Sequence, residues 1–457
     1  MGLFIVVGIV IGSLVWQGGG SSVVFSMVVA YLFILADFSI QPFFGLQFSE
    51  GVFVDKFGVL MAVMTLVVGV LTLLCSHNEF SAASVEPKKG SEVSILLTLM
   101  CCLFMFVSGN WMWFYMWFEA SVIPMMWLIL MWGYQPERFE ASLYMALYTV
   151  GGSLPLLVSL IYLMFNNHSD SFVLGKLSFD FWLLGASLSW VCVFSLIFGF
   201  LVKAPLFGVH GWLPKAHVEA PLAGSMLLSG VLLKLGGYGL YRMMWLVNLK
   251  NGDGGFVIYM VMSVGLVGGC LCTAICACQS DLKAMVAFSS IGHMGFCVCG
   301  LLSGTSIGVG GAAAVMFAHG IVSPILFALC GALYDGSSTR SVGLNLGLDG
   351  ILPGFSFLWG ISWFVNMGVP LTLNYVGEWM LIGSMKLVIP HLLAIAWLMC
   401  FLNGVVSFYA FSAVGHGSGS GFSRSFSVHV NERYFVGSVF GLVFLFVSPF
   451  CLDFFTV

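Results

Sequence analysis

LVKAPLFGVHGWLPKAHVEAPLAGSMLLSGVLLKLGGYGLYR, residues 201–242, sets two lysines, Lys203 and Lys234, inside the most apolar part of a chain almost free of charge. A lysine at the centre of a bilayer helix costs about 2.5–3.5 kcal/mol on insertion scales. Two such costs imply a role, and an ion or proton path is the first hypothesis. Between the lysines, Pro205 removes a backbone donor and breaks the helix that carries Lys203.

The 457 residues are 60% hydrophobic and 7% charged, where soluble domains carry about 25% charged residues. There is too little polar surface for a water-facing globule. The apolar runs are helix-length and not alternating, which excludes a barrel. The net charge of −4 with no basic run excludes nucleic acid as a partner. Of the 13 cysteines, Cys272, Cys276 and Cys278 come nearest to a metal-ligand spacing. They lie in an apolar helix without a second cluster and read as small buried residues, so no metal is expected. Residues 1–16 lack a basic n-region and a cleavage site and read as an uncleaved membrane helix. The bias toward Phe, Val, Gly, Met and Trp suggests an organellar gene.

With roughly 20 apolar residues per span, about fourteen helices are expected. They lie near 2–16, 21–38, 57–75, 94–109, 111–132, 142–165, 181–203, 222–247, 255–278, 283–303, 309–333, 353–385, 389–412 and 434–452. A polar loop at 76–94, a polar link at 166–180 and a Gly/Ser-rich loop at 415–427 separate some of them. Lys88, Lys89, Arg138, Lys215, Lys283, Arg340, Arg424 and Arg433 follow odd-numbered helices, against Lys56, Lys176, Arg242, Lys250 and Lys386 on the other side. This mild bias places both termini on the positively charged compartment side, periplasm or intermembrane space.

Helices seven and twelve are both interrupted, at Pro205 and at Gly368 and Pro370, and each carries a charge near its break, Lys203 or Glu378. Interrupted spans in corresponding positions point to an inverted-repeat transporter with its site at the midplane. The expected fold is an all-α polytopic membrane protein with inverted five-helix repeats at helices 4–8 and 9–13 and broken helices 7 and 12. One membrane domain then divides into N-terminal helices (1–92), a first repeat (93–250), a second repeat (251–413) and a C-terminal loop with helix 14 (414–457).

Within the spans the charged residues are Glu119, Lys203, Lys234 and Glu378, joined by His293 and His319. Glu119 lies in WFYMWFEASVIP, an aromatic-rich helix kinked by Pro124, and Lys203 is its candidate partner. Burial raises a carboxyl pKa and a nearby cation lowers it, so such a pair forms a switchable proton carrier. A static pair joining two helices is the bland alternative. Lys234 lies among Gly236, Gly237 and Gly239, which permit close packing, and snorkelling to an interface is its alternative. The two histidines suit a core hydrogen bond, a haem ligand or a proton relay. Asp281 and Lys283, opening helix ten, read as interfacial. His210, Trp212, Pro214, His217 and Glu219 follow the first break. His77, His168, His391, His416 and His429 lie in or beside loops and read as solvated.

The segment KAPLFGVHGWLPKAHVEAPLAGSMLLSGVLLKLGGYGLYR strongly resembles the subunit 4 family of mitochondrial NADH:ubiquinone oxidoreductase, respiratory complex I. Further matches are FEASVIPMMWLILMWGYQPERFEASLYM (118–145), SDLKAMVAFSSIGHMG (280–295), MFAHGIVSPILFAL (316–329) and GVPLTLNYVGEWM (368–380), in the family's order. The resemblance implies fourteen helices with repeats at four to eight and nine to thirteen. It also implies that Glu119 is the helix-five glutamate pairing with the broken-helix Lys203, Lys234 the central lysine and Glu378 the acid near the outward exit. His293 and His319 resemble members of the central hydrophilic axis, which favours relay over haem. Residues 1–55 and the loop after Ala413 match poorly, and Asp335-Gly336 departs from the family's acidic–arginine pair.

The expected function is proton translocation in the membrane arm of complex I, a core subunit of an H+-translocating NADH:ubiquinone reductase. The resemblance places NADH, FMN, iron–sulfur clusters and ubiquinone in the complex, and this chain is expected to bind no cofactor. Neighbouring antiporter-like subunits, accessory subunits and membrane lipids are the expected partners. A mitochondrial inner membrane location with mitochondrial encoding is expected. Three rivals are a stand-alone cation/proton antiporter, a membrane scaffold whose charges pin helices, and a haem- or quinone-binding subunit using His293 and His319.

Overall fold

The computed structural model describes residues 46–49, 51–81, 85–172, 190–246, 254–417, 432–449 and 455. The expected first and second helices, the start of the seventh, most of the 166–180 link and most of the Gly/Ser-rich loop lie outside them. A short antiparallel hairpin, β1 (Leu46–Ser49) with β2 (Val52–Val54), is added to the expected all-α architecture. Helices α1 (Lys56–Ser81) and α2 (Val85–Val107) follow. The loop expected at 76–94 is therefore largely helical. Pro87 falls in the first turn of α2, where its missing N–H costs nothing, so the polar residues extend the helix and do not end it.

The expected fifth span is two helices, α3 (Trp111–Ala120) and α4 (Val122–Trp132), meeting at Ser121. The ring of Pro124 clashes with the carbonyl four residues back, that of Ala120, and there the first helix ends. The sixth span is α5 (Arg138–Asn167). The seventh appears as α6 (Trp190–Lys203), a break over 204–211, and α7 (Trp212–Glu219). The eighth joins α8 (Leu222–Leu227) to α9 (Leu233–Leu246) through a π-helical turn, Leu228–Leu232.

The next spans are α10 (Gly254–Ala277), α11 (Leu282–Leu302) and α12 (Ser306–Ser337), the last capped by Thr305, whose side chain accepts from the Gly308 N–H. After a short α13 (Leu348–Ile351), the twelfth span is split into α14 (Pro353–Met367) and α15 (Leu373–Val388). Then come α16 (Leu393–Gly415) and α17 (Glu432–Val447). Gly368 takes φ 81° at the second break, and Leu371 takes φ 76°, a left-handed conformation for a branched side chain.

Among the described residues, nine helices are long and apolar enough to cross a membrane. The chain is a multi-pass membrane protein. The apolar centres of the α8–α9 and α12 spans are wholly buried, whereas most of α16 faces outward. On α5, Phe139, Leu143, Leu147, Leu154, Val158 and Phe165 are exposed at helical spacing, the outward apolar surface that a bilayer requires.

Candidate proton path

Lys203 ends α6, where Pro205 prevents the helix from continuing. Its ammonium, 3% exposed, donates to the Phe118 carbonyl, lies 3.4 Å from the centre of the Phe118 ring and reaches Ser121 Oγ at 3.5 Å. The kink between α3 and α4 thus makes its seat. Trp212 Nε1 donates to the Val202 carbonyl at 3.2 Å across the same break. Glu119 is half-buried, and its Oε1 is buried without a partner. No ion pair joins it to Lys203 among the described residues. The expected direct pair is therefore absent in this state, because the carbonyl and ring of the preceding residue capture the ammonium.

Lys234 is fully buried. Snorkelling is ruled out by that position. In the π turn before it, the Leu233 N–H bonds back to the Leu228 carbonyl, five residues away, and skips Ser229. The Ser229 carbonyl accepts the Lys234 ammonium instead, and His319 Nδ1 is 2.9 Å from the same Nζ. Gly230 makes the approach to α12 possible, since a Cβ there would lie 2.9 Å from Pro324 Cγ and 2.7 Å from Val68 Cγ1. An irregular turn on α8–α9 thus meets the proline of α12, one turn from His319.

From His319 the row of polar side chains continues inside the core. The rings of His319 and His293 are 5.4 Å apart, and His293 Nδ1 is 3.8 Å from Glu378 Oε1. All three side chains are buried. Gly368 at the second break leaves room for the carboxyl: a Cβ there would stand 3.1 Å from Glu378 Oε2. A 10 Å³ cavity lies among Thr273, His293, Glu378, Cys400 and Asn403. Four of the six expected residues, Lys234, His319, His293 and Glu378, form one connected row. Glu119 and Lys203 form a second group at the first break.

Several polar residues that the sequence reading gave no role are buried or paired. His217 is fully buried, stacks on Phe327 at 4.7 Å and leaves both ring nitrogens without a partner. Lys283, expected at the interface, is buried by protein, and its Nζ donates to the Ala220 carbonyl at 3.0 Å. Arg340 donates to the Val218 carbonyl at 2.9 Å and lies 3.9 Å from Glu219. Both cations sit at the C-terminal end of α7, where carbonyls lack helical partners. Arg242, expected in a loop, is 1% exposed and pairs with Asp55 at 2.8 Å beneath the rings of Phe53 and Phe172. Asn366, Asn374 and Asn403, uncharged polar residues within the expected spans, were also passed over. Among the described residues no group of three or more His, Cys, Asp or Glu side chains is placed to hold a metal ion.

Residues 108–403, which contain all six candidates, match the family described as NADH:quinone oxidoreductase/Mrp antiporter, TM. The chain is 38% identical over 374 residues to NADH-ubiquinone oxidoreductase chain 4 of Lumbricus terrestris, covering 81% of this chain and 80% of that one. It is 34% identical over 420 residues to the chain 4 protein of Ceratitis capitata, covering 90% and 89%. Its fold is similar to a chain of the respiratory complex I from Thermus thermophilus with bound NADH, with TM-score 0.82, 21% identity, and 98% and 95% of the two chains covered. The fold is therefore that of an antiporter-like membrane subunit, and the chain belongs to the NADH-ubiquinone oxidoreductase chain 4 family.

Proposed function

We propose that this chain translocates protons in the membrane arm of NADH:ubiquinone oxidoreductase, in the inner mitochondrial membrane, with electron transfer carried out by other subunits. The buried row Lys234–His319–His293–Glu378 is the observation that carries the reading. Each neighbour is in hydrogen-bond contact or within a small side-chain movement of it, and each group exchanges a proton by changing its own charge. Glu119 and Lys203 supply the adjoining group at the first break. A change that draws Lys203 off the Phe118 carbonyl toward Glu119 alters the field on Lys234 and so its readiness to give up a proton. Protons then pass through His319 and His293 to Glu378.

NADH, FMN, iron–sulfur clusters and ubiquinone belong, on this reading, to the rest of the complex, and neighbouring antiporter-like subunits, accessory subunits and lipids surround this chain. The two breaks, α6/α7 and α14/α15, support a division into repeats at 93–250 and 251–413, flanked by 1–92 and 414–457. Mitochondrial encoding fits the composition. The test is Lys234→Ala or Lys203→Ala in the assembled complex, reading protons moved per electron. The expected result is a lost contribution to pumping with the complex still assembled. Full stoichiometry in both variants would defeat the reading.

A further inference from the structure

His293 has two ring nitrogens, and only one faces Glu378. Its Nδ1 is 3.8 Å from Glu378 Oε1, while its Nε2 is 3.2 Å from Asn403 Nδ2 on α16. The same Asn403 Nδ2 is 3.3 Å from the Asn366 carbonyl, at the end of α14 just before the second helix break. A carbonyl oxygen only accepts, so the group facing it must be the amide NH₂ and not the amide oxygen. One of its hydrogens goes to Asn366 and the other to His293 Nε2. Nε2 therefore accepts, and the neutral ring carries its hydrogen on Nδ1, toward the carboxyl of Glu378.

We propose that Asn403 is a positioning residue of the path: held by the Asn366 carbonyl at the helix break, its amide caps His293 Nε2 and fixes the ring hydrogen toward Glu378. The proposal rests on the reading of this row as a proton path. A neutral imidazole passes a proton by taking one on its free nitrogen while releasing the other. Here a proton bound at Nε2 would accompany transfer of the Nδ1 hydrogen to the Glu378 carboxylate. The ring ends neutral, with its hydrogen moved to Nε2, and Glu378 ends protonated.

While Asn403 occupies Nε2, the lone pair that must receive the incoming proton is covered. Two donors cannot share that contact, so passage requires the amide to withdraw. The amide is anchored to the carbonyl of the broken helix, and Asn374 Nδ2 donates to the same carbonyl at 3.2 Å. Opening of Nε2 is thereby tied to the geometry of the break. Asn403 Oδ1 is buried without a partner beside the small cavity at Glu378, so the amide has no second anchor to hold it in the capped position.

Asn403→Leu keeps the side-chain volume and removes the donor. Asn403→Gln keeps the donor and adds a methylene to a packed site. If Asn403 acts through its hydrogen bond, Leu lowers the rate of proton movement through this subunit by about fivefold, the equivalent of one such bond, and so lowers protons moved per electron, while Gln retains the larger share. If it only fills space, the order is reversed, because the near-isosteric change is tolerated and the larger one is not. Leu equal to the parent, or Leu better than Gln, overturns the proposal. Should the Leu variant not assemble, Asn403→Ala is read in its place. Glu378→Gln is measured alongside: unchanged pumping there defeats the proton path itself, whereas lost pumping there with normal Leu defeats only the role of Asn403.

Discussion

The Lys234 ammonium donates to Nδ1 of His319 across 2.9 Å, deep inside the described core, and its other acceptor is a carbonyl that the π turn has released. With Nδ1 accepting, the neutral His319 ring carries its hydrogen on Nε2. The two side chains hold each other's chemistry in place.

Removing one of them leaves the other short of a partner in a buried site. His319→Leu should cost about 1.5–3 kcal/mol, the range for hydrogen bonds to charged groups. Adding Lys234→Met should cost less than the sum of the two single changes, with a coupling of about 1 kcal/mol. Melting temperatures of the assembled complex for the parent, both single variants and the double variant decide it. Strict additivity would mean that the contact carries no energy.

The buried Arg242–Asp55 pair ties the start of α1 to α9. Arg242→Met leaves the Asp55 carboxylate uncompensated and should destabilise by about 3–5 kcal/mol, whereas an apolar replacement of both partners is far milder. A double variant, Arg242→Met with Asp55→Leu, should recover most of the loss in a thermal-stability assay.

Gly236 and Gly237 are adjacent but not equivalent. A Cβ on Gly236 would stand 2.5 Å from the Ala204 backbone nitrogen and 2.7 Å from the Phe200 carbonyl, whereas one on Gly237 meets the Met316 sulfur, the end of a flexible side chain. Overpacking costs about 1–3 kcal/mol. Gly236→Ala should reach the upper part of that range and Gly237→Ala the lower, as read from the amount of assembled complex and its melting temperature.

Leu371 is held at φ 76° at the second break with its side chain largely exposed. Leu371→Gly should therefore stabilise the chain by about 1 kcal/mol, the left-handed cost it relieves. A lowered melting temperature would show that the exposed leucine contributes contacts outweighing its backbone cost.

Both helix breaks were legible because proline and glycine change backbone chemistry directly: Pro205 and Pro370 lack a donor, and Gly368 tolerates a positive φ. The buried row was legible because an ionisable group in an apolar span is costly wherever it points. The seat of Lys203 was not. It depends on a carbonyl exposed by the α3–α4 kink, and carbonyls carry no residue letter. Asn403 was passed over because an amide costs little in composition and matters only through the two groups it bridges. Arg242 read as a loop charge because Asp55 lies 187 positions earlier in the chain. The π turn was invisible for a related reason: LSGVL has the composition of any helical segment, and its irregularity belongs to the packing against Pro324 and Val68.

That turn makes the length of this segment a constraint separate from its composition. One residue advances a helix by about 100°, so the turn works as a vernier between the two ends of the span. Deleting any one residue of Leu228–Leu232 would restore a regular helix and satisfy every backbone group. It would also swing Lys234 away from His319 and Gly236 away from Ala204. The span can exchange one apolar letter for another, but it cannot lose one.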